Sequence, residues 1–165
     1  FTTLARSIVG QQISVKAAQA VWNRFVAITP GASAHVQPSS VLSLDVAAMR
    51  GAGLSARKVE YLVDLAAHFE SGAVHVPQWQ RMEDEAIIEE LIAIRGIGRW
   101  TAEMFLMFAL QKPDVFSPGD LGLRRSIESL YGLSKDCPIT ELEAIVDDLK
   151  EILQLIETNG ENGNE

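Results

Sequence analysis

The sequence predicts an all-α protein, a compact multi-helix domain built around two helices joined by a glycine hairpin. Three observations predict it. Apolar residues recur at intervals of three and four along most of the chain. Ser, Thr and Asp stand ahead of those stretches, and Gly or Pro behind them. No alternating pattern longer than a few residues marks a strand, and there is no internal repeat.

The first helix is expected from Thr2 to Gln12, with Leu4, Ile8 and Val9 facing inward. Ser14 caps a second, Val15 to Ala27, with Val15, Ala18, Val21, Trp22 and Phe25 on one stripe, and Thr29-Pro30-Gly31 closes it. Residues 30–38 form a loop rich in Pro, Gly and Ser. Short helices from Ser39 and from Asp45 lead to the turn Gly51-Ala52-Gly53-Leu54. Ser55 then caps Ala56 to Glu70, whose buried face is Val59, Leu62, Val63, Ala66 and Phe69. Ser71-Gly72 stops it, and Val74 to Trp79 reads as an extended linker around Pro77.

A helix starting near Asp84 carries Glu83, Asp84 and Glu85 where the helix dipole favours acids, and it runs to Gly96. Arg99 to Leu110 is the most apolar helix. Trp100, Met104, Phe105, Met107, Phe108 and Leu110 leave it little solvent face, which predicts a central position. Lys112-Pro113-Asp114 turns the chain, and Leu121 to Tyr131 is a helix ended by Gly132. Thr140 caps a last helix to about Glu157. Asn159 to Glu165, polar and rich in Gly and Asn, is expected to be disordered.

The 165 residues, 47% of them apolar, suffice for one domain with its own core. No apolar run reaches the roughly 18–20 residues of a membrane span. The chain opens on Phe1 inside an apparent helix, so it reads as a processed or partial chain. Cys137 is the only cysteine, which excludes an internal disulfide, a zinc cysteine cluster and a four-cysteine iron–sulfur site. His35, His68 and His75 lack metal-ligand spacing. The net charge of −8 argues against nucleic acid, but residues 134–165 hold nine acids against two bases. The first 133 residues are therefore nearly neutral and can carry a local basic face.

Two features carry candidate chemistry. Gly96-Ile97-Gly98 joins two helices and places the N-terminus of the second at a corner, where backbone N–H groups and the helix dipole can hold a phosphate. Ile97 anchors that hairpin, and the loop carbonyls near Ile94 and Ile97 can hold a monovalent cation. A plain helical hairpin with a glycine cap fits the same residues. Asp120 follows Gly96 by 24 residues, after Ser117-Pro118-Gly119 and before a helix; it reads as an N-cap or as a fixed acid. Asp114 and Glu128 look ordinary. Arg24, Arg57, Lys58, Arg99, Arg124 and Arg125 are candidate phosphate contacts or merely solvated bases. Gln11 and Gln12 lie between two helices without an obvious structural need. Glu103, amid apolar residues, sits at a helix edge or is paired.

Together these residues resemble the helix-hairpin-helix DNA glycosylase superfamily, and within it the DNA-3-methyladenine glycosylase II branch. Arg6 to Ala18, reading RSIVGQQISVKAA, is similar to the branch's opening helix pair. Gly53 to Lys58, with Tyr61-Leu62, is similar to its middle segment. Ile94 to Ala102 with Pro118-Gly119-Asp120 is similar to its hairpin and catalytic aspartate. The resemblance implies a monofunctional enzyme of base excision repair that flips and excises alkylated purines of the 3-methyladenine type. It assigns Asp120 as catalytic aspartate and Gly96, Gly98 and Thr101 to DNA phosphate. Trp100 and Met104 line the base pocket, and Gln11 and Gln12 form the wedge that fills the gap left by the flipped base. Damaged double-stranded DNA is the implied partner of an intracellular monomer, with no membrane contact and no cofactor beyond the possible hairpin cation.

The departures are specific. Where the lyase branch has a lysine after the hairpin as Schiff-base nucleophile, this chain has Trp100, which implies base removal without strand cleavage. Arg95 replaces a usual proline, and Met104 a frequent aromatic. After Leu133 the branch's tryptophan-bearing helices are replaced by an acidic stretch. The implied organisation is a glycosylase core at 1–133, incomplete at its start, a divergent acidic helix at 134–158 and a disordered tail at 159–165. The alternatives are a non-catalytic helix-hairpin-helix DNA-binding module and a helical interaction domain.

Overall fold

Local side-chain capping sets the start of four helices in the computed structural model, which describes residues 1–32, 35–112 and 115–161, with side chains to Glu151. Among the described residues the protein is all-helical. The helices are α1 (Thr2–Gly10), α2 (Val15–Ile28), α3 (Pro38–Leu42), α4 (Val46–Gly51), α5 (Ala56–Glu70), α6 (Asp84–Ile92), α7 (Arg99–Phe108), α8 (Leu121–Tyr131) and α9 (Ile139–Glu161), with a 3-10 turn at Val76–Gln78. Ser14 Oγ accepts from Ala17 N–H, Asp45 from Ala47 and Ala48, and Ser55 from Lys58. Each cap satisfies amides that the first turn leaves open, worth about 1 kcal/mol apiece.

The chain divides into two compact units, Phe1–Gln111 and Lys112–Glu165. In the first, α5 packs on α1, α3 and α4, α1 packs on α2, and α6 on α7. Leu4, Ile8, Phe25, Met49, Leu62, Leu65, Ile87, Leu91, Ile94 and Leu106 are fully buried there. Fully burying an aliphatic side chain of this size contributes about 1.5–3 kcal/mol. A row of edge-on aromatic rings runs through the same unit. Phe1 meets Phe69 at 5.3 Å, Phe69 meets Trp79 at 6.1 Å, and Trp79 meets Phe105 at 5.6 Å.

The second unit holds α8 and α9 and is organised by a buried acid, Glu128. Its carboxylate accepts from Arg124 Nε at 3.2 Å, Arg125 at 2.9 Å and the Asp136 amide at 2.9 Å. Burial pushes Glu128 up, but these donors outweigh it and hold the group below the ordinary carboxylate range. Arg124 also donates to the Cys137 carbonyl, and Cys137 itself is buried, which pushes its thiol up.

Several boundaries differ from the sequence reading. α1 ends at Gly10, and the third helix starts at Pro38, whose fixed φ suits a first turn. The helix from Asp84 ends at Ile92, so Ala93 to Gly98 forms a longer hairpin than expected. Val74 to Trp79 is not extended: Val76–Gln78 is a 3-10 turn held by Glu90 on α6. Glu90 accepts from the His75 amide at 3.0 Å, Trp79 Nε1 at 2.9 Å and His75 Nδ1 at 2.5 Å. The last helix starts at Ile139, because the Pro138 carbonyl accepts from Glu141 and Leu142; Thr140 is inside it and not its cap. It runs through Glu161, past the expected end near Glu157, so Asn159 to Glu161 are helical. The turn expected at Lys112-Pro113-Asp114, and Asp114 with it, falls outside the described residues, as do Ser33, Ala34 and the final four.

Burial pushes Glu90 up, and the donors from Trp79 and His75 more than reverse it, leaving its pKa below the ordinary 4.5. A depressed carboxylate contributes stability that is complete above its unfolded pKa and is lost as pH falls through the folded one. Glu90→Gln is therefore expected to cost about 2 kcal/mol in urea unfolding at pH 7, and progressively less as pH falls below the ordinary carboxylate range, where the wild type loses the same contribution.

Candidate nucleic-acid interface and base pocket

The hairpin between α6 and α7 is set by two isoleucines and two glycines. Ile94 and Ile97 are buried, at 1% and 4% exposure, and tie the loop to the core; the Ile97 amide donates to the Ile94 carbonyl at 3.1 Å. Gly96 has φ +87°, and a Cβ there would lie 2.2 Å from the Tyr61 ring. Both its conformation and its surroundings require glycine. Gly98 differs. It is the N-cap of α7 with φ −90°, offers no side-chain cap, and a Cβ there would meet open space. Nothing in the fold demands glycine at 98. Its effect is to leave the start of α7 uncovered, where helical N–H groups and the positive dipole end point outward.

Residues distant in sequence hold the hairpin. Gln11 Nε2 donates to the Gly96 carbonyl at 2.8 Å, so Gln11 braces the loop. Asp64 on α5 accepts from the Arg95 amide at 2.9 Å and from Arg95 Nε at 3.2 Å. Arg99 forks onto Glu85 of α6 at 2.8 and 2.5 Å and meets buried Glu103 at 3.2 Å, which answers the question of Glu103 in favour of pairing. These partners raise the Arg99 pKa, the Glu85 hydrogen bonds most of all. Lys58 Nζ donates to the Val9 carbonyl at 2.7 Å, and burial lowers its pKa. Arg24 donates to the Ala52 carbonyl. Lys58, Arg24 and Arg99 thus all have structural partners, whereas Arg57 is exposed.

Gln12 stands apart. It adopts φ +59°, a left-handed conformation uncommon for a residue with a Cβ, and its side chain is exposed at the tip of the α1–α2 loop. Gln11, Gln12, Arg57, Lys58, Tyr61, Gly96 and Gly98 line one recess of about 420 Å³. The fold thus brings together both glutamines and both hairpin glycines.

The predicted pocket residues converge on a separate cleft of about 410 Å³ in the first unit. Trp100, Met104 and Phe108 follow one another at i, i+4 and i+8 on α7, opposite Thr3, Leu4 and Ser7 of α1. Trp100 is 51% exposed and Phe108 78%. The expectation of a central α7 with little solvent face is therefore corrected. Ala102, Glu103, Phe105 and Leu106 form its buried face, and its other apolar residues line an open cleft. Thr101, assigned to phosphate, lines this cleft beside Trp100. Thr3, Ser7 and Phe108 were not singled out for the site, although the spacing of Phe108 from Trp100 carries the signal.

Asp120 belongs to the second unit. It is the N-cap of α8: Oδ1 accepts from Leu123 N–H at 3.0 Å, and its own amide donates to the carbonyl of buried Ser117 at 3.1 Å. The capping bond fixes the direction of the carboxylate. Among the described residues, no cluster of three or more His, Cys, Asp or Glu could hold a metal ion, and no helix is long and apolar enough to cross a membrane.

A glycine hairpin leading into an uncapped helix, with an aromatic cleft on that same helix, defines a helix-hairpin-helix class of protein. Residues 5–151 match the family of HhH-GPD superfamily base excision DNA repair proteins, and the chain belongs to that superfamily. It is 37% identical over 136 residues to DNA-3-methyladenine glycosylase 1 of Schizosaccharomyces pombe, covering 82% of this chain and 59% of that protein. It is 44% identical to DNA-3-methyladenine glycosidase of Bacillus halodurans, whose crystal structure gives a TM-score of 0.75 over 79% of this chain and 59% of that one. The Schizosaccharomyces pombe enzyme Mag1, solved in complex with abasic DNA, gives 0.67 at 35% identity over 86% of this chain and 68% of that one. The chain spans about half the length of the relatives it matches.

The two hairpin glycines separate in a stability experiment. Gly96→Ala is expected to cost at least about 2 kcal/mol, from the Tyr61 clash and the positive φ. Gly98→Ala is expected to cost about 1 kcal/mol or less, the difference between Gly and Ala at an N-cap. Urea denaturation of both variants measures it.

Proposed function

We propose that this chain carries the core of a monofunctional DNA N-glycosylase that removes alkylated purines of the 3-methyladenine type from duplex DNA. The observation that carries the reading is on one helix. α7 starts at an uncapped glycine suited to a phosphate, and two residues later it presents Trp100 in an open cleft. A helix so equipped can hold the backbone and receive a base turned out of the stack.

The chemistry follows from what such a base needs. A nucleotide must leave the duplex before its glycosidic bond can be reached, at a cost of a few kcal/mol that is lower for damaged bases. The α7 N-terminus at Gly98, with the amides around Thr101, would hold the distorted backbone; such contacts position and do not read sequence. Gln12, exposed and already in its left-handed conformation, would fill the space the base vacates, while Gln11 braces the hairpin beneath it. An N-alkylated purine is cationic, and Trp100 with the Met104 thioether offers a polarizable surface for it. The carbon–nitrogen bond breaks with its electron pair going to the purine, which neutralises it. Water bonds to the oxocarbenium-like sugar and releases one proton to solvent, while the Asp120 carboxylate stabilises that cation and directs the water.

Trp100 stands where a lyase has its amine, so no Schiff base forms and the strand stays intact. The reading calls for no redox or metal chemistry at the reacting atoms. The carbonyls near Ile94 and Ile97 would hold a monovalent cation, which would add positive charge at the hairpin: the Ile94 oxygen uses one lone pair on Ile97 N–H, and a carbonyl has two. The protein would act as an intracellular monomer on damaged double-stranded DNA.

The direct test is release of free 3-methyladenine or 7-methylguanine from alkylated duplex DNA. Asp120→Asn separates chemistry from structure, because Asn caps a helix as well as Asp does. It is expected to keep thermal stability while excision falls about 100- to 1,000-fold. Salt-sensitive duplex binding without release from the wild type would instead support a binding module. Gly98→Ala is expected to weaken duplex binding about tenfold, measured by fluorescence anisotropy. Gln12→Gly is expected to leave the fold equally stable or about 1 kcal/mol more so, yet to slow excision of a fully paired lesion more than of a mismatched one.

A further inference from the structure

The cleft on α7 is longer than one base. Trp100 and Phe108 are eight residues apart on a continuous helix, which separates them by about 12 Å along its axis, with Met104 midway. Each half of the cleft therefore has its own aromatic residue, and among the described residues the lining carries no charged side chain. Phe108 is 78% exposed, more than Trp100, although a phenylalanine gains about 1.5–3 kcal/mol from full burial. Leu4 of α1 is buried beneath the groove, and Thr3 and Ser7 add uncharged hydroxyls along the α1 side. An aromatic surface so placed, continuous with the Trp100 end, suits an apolar group carried by a base already seated on Trp100.

We propose that the Phe108 end of the cleft receives the substituent of N-alkylpurines whose alkyl group is large and aromatic. The enzyme's substrate class then extends from methylated to benzylated and similar arylmethyl purines. The inference rests on the glycosylase reading above. Trp100 binds the cationic purine, and Phe108 takes the aryl group in an edge or offset stack. The reaction is unchanged: the glycosidic electron pair leaves with the purine, the sugar bonds to water oxygen, and the substituent stays on the departing base.

The test uses two duplex oligonucleotides, one with a single N7-methylguanine and one with N7-benzylguanine, under single-turnover conditions. A parallel set with 2′-fluoro sugars, which resist hydrolysis, gives equilibrium binding alone. The wild type is expected to process the benzyl lesion at least as fast as the methyl lesion and to bind it more tightly. Phe108→Ala is expected to lower the benzyl-to-methyl ratio about tenfold in both rate and affinity, whereas Trp100→Ala lowers both lesions together. Phe108 is exposed, so its removal does not threaten the core. Methyl excision with benzyl exclusion, or an unchanged ratio in Phe108→Ala, would overturn the proposal and leave the glycosylase reading standing. Absence of excision for either lesion would count against the glycosylase reading, and the binding ratio would still decide the role of Phe108.

Discussion

The contact between Gly96 and the face of Tyr61 is the constraint on which the hairpin depends. No Cβ fits between them, so α5 and the hairpin approach as closely as backbone and ring allow. The same glycine offers its carbonyl to Gln11, which couples the α1–α2 loop to the hairpin from the other side. Asp64 then fixes the neighbouring Arg95 through backbone and side chain together. Three segments remote in sequence thereby meet at one residue. The recess they enclose follows from that meeting, and the direction in which α7 leaves the hairpin does too.

Charge is used differently in the two units. In the first, Glu85, Arg99 and Glu103 connect α6 to the opening turns of α7, with one member buried and the others in contact with water. A buried carboxylate without its partner would be costly, so Arg99 is bound to the frame more than to any ligand. In the second, Glu128 gathers two arginines and an amide from beyond the end of α8. Both arrangements remove basic side chains from the pool available to a polyanion. In the proposed reading phosphate is therefore left to the backbone at a helix end, a site that would keep its partial charge at any pH.

Elements governed by neighbouring residues were legible in the sequence. Ser14, Asp45 and Ser55 are caps because the amides they satisfy lie two or three residues on. Gly132 ends α8 in a left-handed conformation for the same local reason. Thr140 failed as a cap because the Pro138 carbonyl had already begun the helix. The linker at Val76–Gln78 was misread because its folding is imposed by Glu90 on another helix. In the candidate site, the glycines, Gln11, Gln12, Trp100 and Asp120 were marked through resemblance, since their spacing is unusual only in combination. The different settings of Gln11 and Gln12 were not legible, because Gln11 is held by a carbonyl 85 positions away. Phe108 was read as core since apolar composition does not distinguish a helix wrapped on all sides from one bordering a groove.

The three tryptophans sit at different depths. Trp79 is enclosed among rings, with its indole N–H on a carboxylate, and Trp22 is nearly buried on α2, whereas half of Trp100 faces solvent. Their emission therefore separates by wavelength, the shielded indoles to the blue and Trp100 to the red. The chain carries built-in optical reporters, two for the integrity of the fold and one at the mouth of the cleft. An aromatic guest on Trp100 would quench the red component alone, so occupancy of the cleft can be followed without a label and distinguished from unfolding in the same spectrum.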